Sequence, residues 1–212
     1  MKNLLYKEFR LAIHPLFYLV PLLGALVLIP QWVYFVALMY FFFITVPNIF
    51  AVSKAQNDIG FSAMLPVRRQ DIVKARVTSV VLLELLQIFV TAVFATINVA
   101  IYPQGNFLFD ANLAFIGCVF VMFGIYNVIF FPMFYKTAYK IGVPTITALS
   151  AAILFAAAVE ALLLYVPGAR FLDGMAYTAA HFAVLLGGIV IFALLNTAAF
   201  KVSVKRFERI DL

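Results

Sequence analysis

From Pro15 to Ser53 the chain runs 39 residues without one Asp, Glu, Lys or Arg. A helix crosses the hydrocarbon of a bilayer in about 20 residues, so this stretch holds two membrane spans. The segment Ile29-Pro30-Gln31-Trp32 is the hinge between them, since it joins a helix breaker to an interfacial aromatic ring. Composition agrees. Hydrophobic residues make up 66% of the chain and charged residues 11%, against roughly 25% charged in a soluble domain. Lipid removes the difficulty, because a helix satisfies its own backbone and can turn apolar side chains outward. Strand periodicity is absent and the apolar runs are too long for barrel strands.

The same reading along the chain predicts an all-α membrane protein with six spans, near 15–30, 32–53, 77–101, 111–135, 142–166 and 177–200. An even number places both termini on one side. Fourteen of the fifteen basic residues then share that side, and only Arg170 lies on the other. The positive-inside rule makes the basic side cytoplasmic. That asymmetry accounts for the net charge of +6, so no nucleic-acid partner is expected. Lone Cys118 excludes an intrachain disulfide, and the N-terminus lacks a signal-peptide pattern and is expected to be retained.

Residues 1–14 predict an amphipathic elbow helix lying in the interface, ahead of a 15–212 membrane domain. Asn3, Lys7, Arg10 and His14 cluster on one face, with Leu5, Phe9, Ala12 and Leu16 opposite and Ile13 beside them. An untidy extension of the first span is the alternative. Loop 54–76 is long for a bundle connection and apolar in its middle, at Ile59, Phe61, Met64, Leu65 and Val67. Pro66 holds Leu65 extended, so a short helix near 58–64 ends there, and a new helix starts near Arg69–Asp71 and feeds into span three. A short apolar helix flanked by charge suits docking onto another protein; a helix resting on lipid is the alternative.

The stretch Asn57-Asp58 followed by Met64-Leu65-Pro66-Val67-Arg68-Arg69-Gln70-Asp71-Ile72-Val73-Lys74-Ala75-Arg76 resembles the signature of bacterial type-2 ABC transporter permeases. Arg68 stands where that family more often has a small hydroxyl residue. The opening Leu4-Leu5-Tyr6-Lys7-Glu8-Phe9-Arg10 and the whole layout are also similar. The resemblance implies that 58–67 is a coupling helix entering a groove on a separate ATPase, with Asp58, Ile59, Phe61, Met64, Leu65, Pro66, Arg68 and Arg69 as its contact residues. It further implies a bacterial plasma-membrane location and two permease chains around one pathway. Its cargo class would be antimicrobial or amphipathic peptides, or else drugs or lipids. The chain has no Gly-x-x-x-x-Gly-Lys-Ser/Thr loop, so ATP and magnesium would belong to the partner and no cofactor to this chain.

Within the membrane, Glu84 shares a helical stripe with Gln87 and Thr91, continued roughly by Asn98. Charges at that depth are costly and often functional, so the stripe is either a translocation route or a buried polar seam between helices. Glu160, near the outer end of span five, reads as a boundary residue able to reach water. Asn48, Asn127, Asn196 and His181 lack metal-ligand spacing and read as structural. Ala148, Ala152 and Ala156 mark span five for close helix packing, within the chain or across a dimer. Pro21 and Pro47 should kink their spans. Residues 165–175 read as an outer turn, for which the resemblance suggests a small cap over the pathway. An intramembrane enzyme would need a nucleophile and base or a metal cluster, and no such motif occurs. A channel or immunity protein is the remaining alternative, one that would not need the greasy segment at 59–65.

Overall fold

The computed structural model describes residues 2–64, 66–102, 105–174 and 179–210. Every regular element among them is a helix. Helix α1, Lys2–Lys7, continues as a π-helical turn over Glu8–Ala12. Tight 3-10 turns follow over Pro15–Tyr18 and Val20–Leu28. Helix α2, Tyr34–Tyr40, passes through a π turn at Phe41–Thr45 into α3, Val46–Ala55. Then come α4, Asp58–Met64, and the long α5, Arg69–Ile101. Three further helices, α6 (Leu113–Phe134), α7 (Gly142–Tyr165) and α8 (Ala179–Phe207), complete the bundle, with a 3-10 turn, Pro167–Leu172, before the last.

Five uninterrupted segments are long and apolar enough to cross a membrane: Tyr34–Ala55, Arg69–Ile101, Leu113–Phe134, Gly142–Tyr165 and Ala179–Phe207. A sixth is the pair Asn3–Ala12 and Pro15–Leu28, bent by 100°. That bend sets the elbow nearly perpendicular to the segment it feeds. His14 shapes the corner: its Nδ1 accepts from the Leu16 amide at 3.3 Å, and Pro15 opens the next turn.

The first span is wound as 3-10 rather than α helix. Its register against α5 shows how far it reaches. Glu8 meets Arg76, a Cβ on Gly24 would lie 2.6 Å from the Thr91 hydroxyl, and the Asn98 amide donates to the Val27 carbonyl at 2.8 Å. Arg76 and Asn98 are roughly 33 Å apart along α5 at 1.5 Å per residue. Fourteen residues at about 2.0 Å each nearly match that length, so Pro15–Leu28 crosses alongside α5 where an α helix of the same size would stop short.

Aromatic rings fill the centre. Phe42 stacks on Tyr126 with centroids 4.0 Å apart and planes 5° from parallel, and Phe50 meets Phe130 and Phe134 edge-on. Such pairs contribute beyond simple burial. Helix α6 is the most enclosed span and packs most extensively on α8. The contact is possible because two glycines face each other: a Cβ on Gly188 would fall on the Gly117 carbonyl, and one on Gly117 would lie 2.5 Å from the Val184 carbonyl oxygen. Pro47 follows the π turn at Phe41–Thr45. The wider turn accommodates a ring that would crowd the carbonyl four residues back.

The alanines of α7 are buried inside the chain, Ala148 and Ala152 wholly and Ala156 nearly so, where α7 lies on α6. They therefore serve packing within one chain; the face turned outward carries Val143, Ile146, Ile153 and Leu154.

Candidate functional site

The basic end of the bundle gathers the N-terminal elbow, α4 and the first turns of α5. Loop 54–76 folds back because Asn57 adopts a left-handed φ of 48° and its carbonyl accepts from the Phe61 amide at 3.0 Å. Gly60 lies so close that a Cβ there would meet the Asn57 side-chain oxygen at 2.7 Å. Helix α4 thus turns one face inward and one out. Asp58 and Ser62, one turn apart, face inward, while Phe61 and Met64 are 60% and 85% exposed.

The inward face ends in a four-residue ion cluster. Lys7 Nζ donates to Asp58 Oδ1 at 2.6 Å and to the Ser62 hydroxyl at 2.8 Å. Arg76 Nη2 donates to Asp58 Oδ2 at 2.7 Å, and Arg76 Nε lies 2.5 Å from Glu8 Oε2. The Ser53 hydroxyl reaches Asp58 Oδ2 at 3.4 Å, and the Arg76 guanidinium lies 5.5 Å from the Phe50 ring centroid. Two cations meet two anions, so the buried set is neutral, as the high cost of isolated buried charge demands. The cluster ties the elbow, the end of α3, α4 and α5 into one unit.

Sequence reasoning missed Lys7, Glu8 and Arg76 as partners of Asp58. The signal lay in the stripe of α5: Arg76, Val80, Leu83, Gln87 and Thr91 recur at helical spacing and all are buried, so a cation headed an otherwise inward face. The elbow is corrected accordingly. Its buried stripe is Leu4, Glu8 and Ala12, not Leu5, Phe9 and Ala12, because Glu8 is drawn inward by Arg76. Tyr6 and Leu11 are exposed, as is Leu16 beyond the bend.

The other residues of the loop part company. Ile59 and Val67 are half-buried against the core, while Pro66 and Arg68 are exposed. Leu65 lies outside the described residues. Arg69 turns away from α4 and donates to the carbonyls of Phe207, Glu208 and Ile210, the last at 2.7 Å. It fastens the end of α8 beside the start of α5, so the C-terminal turn shares the face of the elbow.

At mid-span, Glu84, Gln87 and Thr91 are fully buried within the chain. Asn127 donates to Glu84 Oε2 at 2.7 Å and to Asn196 Oδ1 at 2.9 Å, linking α5, α6 and α8. A groove of about 260 Å³ between α5 and α8, lined by Lys74, Thr78, Asn196 and Thr197, stops at this link. The geometry is that of a seam between helices. No group of three or more His, Cys, Asp or Glu among the described residues could hold a metal.

Side chains latch the opposite end. Glu160 is buried rather than facing water, and its Oε2 accepts from the Phe109 amide at 3.1 Å. Asn112 donates to the carbonyls of Leu172 and Gly174, and the Asp110 amide donates to Asp173. Burial pushes the Asp110 carboxyl above its ordinary value, and the Asn106 amide, 2.6 Å away, pulls it partly back. His181 contacts the Leu172 carbonyl at 3.2 Å, as a structural residue would.

A family model described as "ABC-2 family transporter protein" matches residues 3–208. The chain belongs to the ABC-2 transporter family. It is therefore the membrane permease subunit of an ABC transporter, in a family that works with an ATPase partner. No curated protein and no solved structure matches this ABC-2 chain.

Proposed function

We propose that this permease exports its cargo from the cytoplasmic side, with α4 as the element that receives motion from the ATPase. The observation that carries the reading is the outward pair Phe61 and Met64, held at the basic end by the buried ion cluster behind them. Burying two such side chains in a partner groove is favourable by about 1.5–3 kcal/mol each. The cluster makes α4 a rigid lever, because a push on Phe61 reaches α5 through Asp58 and Arg76 and the elbow through Lys7. A cleft of about 230 Å³ between α4 and the turn at Thr137–Tyr139 gives a docking subunit a second wall.

The basic end is cytoplasmic in this reading, since fourteen of fifteen cations belong to it. Two copies enclose one pathway in a bacterial plasma membrane, and the outward apolar faces of α7 and α8 supply surface for lipid and for the second copy. The cargo is an amphipathic peptide, an assignment supported by the resemblance to peptide-exporting permeases. The test is the double variant Phe61→Ser and Met64→Ser, co-expressed with the ATPase subunit. Both residues are exposed, so the thermal midpoint of the purified permease should hold, while ATPase co-purification and permease-stimulated hydrolysis fall at least tenfold. Undiminished stimulation in a well-folded variant would remove α4 from the mechanism.

A further inference from the structure

Where α6 and α8 end, Lys136, Arg206, Arg209 and Ile210 line a concavity of about 290 Å³. Cations at helix C-termini usually have a ready explanation, because the last carbonyls need donors. Here that need is met by other groups. Arg69 supplies the carbonyls of Phe207, Glu208 and Ile210, and Arg206 Nη1 donates to the Pro132 carbonyl at 2.7 Å. Lys136 and Arg209 are left over. Both are exposed, and neither has a side-chain hydrogen bond or ion pair among the described residues. No described carboxylate lines the concavity, and half-buried Ile210 gives it an apolar wall.

We propose that this concavity binds a phosphate group, supplied by the headgroup of an anionic phospholipid. Lys136 and Arg209 each follow the end of a membrane-spanning helix by two residues, which sets them at headgroup depth. Basic pockets between helix ends at that level recognise anionic headgroups through charge and hydrogen bonding. The apolar wall and the outward flank of α8 receive the start of the acyl chains. Arg206 is fixed by Pro132, so one member of the cationic set is preorganised and the other two close on the ligand. The site depends neither on the cargo nor on α4 docking.

The test compares two double variants of equal charge loss. Lys136→Gln with Arg209→Gln empties the concavity; Lys201→Gln with Lys205→Gln removes two exposed cations from the same end of α8 outside it. Purified permease is titrated with phosphatidylglycerol, with phosphatidylcholine and with inorganic phosphate, following the thermal midpoint and the lipid retained in native mass spectrometry. The expected result is saturable retention of one phosphatidylglycerol, weakened about tenfold or more in the first variant and unchanged in the second. Saturable protection by inorganic phosphate alone, lost in the same variant, keeps the phosphate site and reassigns its source to a soluble anion. Equal loss in both variants means diffuse attraction to a basic surface and overturns the proposal. Unaltered lipid retention in the first variant, with capture of the ATPase subunit reduced, also overturns it and assigns the cations to the protein partner.

Discussion

Arg76 carries more of this structure than any other single side chain. Removing one partner of a buried ion pair leaves an uncompensated charge, at a cost of about 3–5 kcal/mol. Arg76→Met would strand both Glu8 and Asp58, and it should sharply lower the yield of folded permease and its thermal midpoint in detergent. Adding Glu8→Gln and Asp58→Asn to that change should recover much of the loss; no recovery would mean that packing on Phe50, not charge, is what Arg76 supplies. Asp110 gives the opposite case, a carboxyl whose folded value is raised. Its contribution favours the folded state below its ordinary value of 3.8 and fades as pH rises through the raised folded value. Asp110→Asn keeps an oxygen for the Asn106 amide. It should therefore flatten the pH dependence of the thermal midpoint just above pH 4 and leave the neutral-pH midpoint equal or higher. The Asp58 position was legible from the loop pattern, but its partners were not. Glu8 and Arg76 are far apart in sequence, and single-residue periodicity cannot announce a pairing between elements.

At the scale of elements, hydropathy and helix punctuation located the spans well, because backbone satisfaction in lipid leaves few choices. Pro66 ended α4 at Met64 and the helix after it began at Arg69, both readable from the loop. The 3-10 winding of Pro15–Leu28 was not readable, since it follows from the distance the segment must cover beside α5. The close approach of α6 and α8 was equally hidden; Gly117 and Gly188 look like ordinary membrane glycines until their backbones are seen to touch. Gly188→Ala would press a methyl group into the Gly117 carbonyl, a case in which neither side can yield cheaply. It should destabilise the bundle by about 1–3 kcal/mol, seen as a lower thermal midpoint. Gly187→Ala, with open space at the same helix level, should be nearly silent.

For the whole molecule, charge and polar bonding divide the labour between the ends. The basic end holds the four-residue ion cluster, the Arg69 clasp and unspent cations, while the outer end is tied by side-chain to backbone bonds around Asn112, Glu160 and Asp110. The overwound first span joins the two. If Pro15–Leu28 relaxed into ordinary α-helical pitch, it would shorten by about 7 Å. With its far end fastened to Asn98 and its near end to Arg76 through Glu8, that recoil has nowhere to go while both ties hold. The segment is a stretched spring whose tension is released only when the elbow lets go.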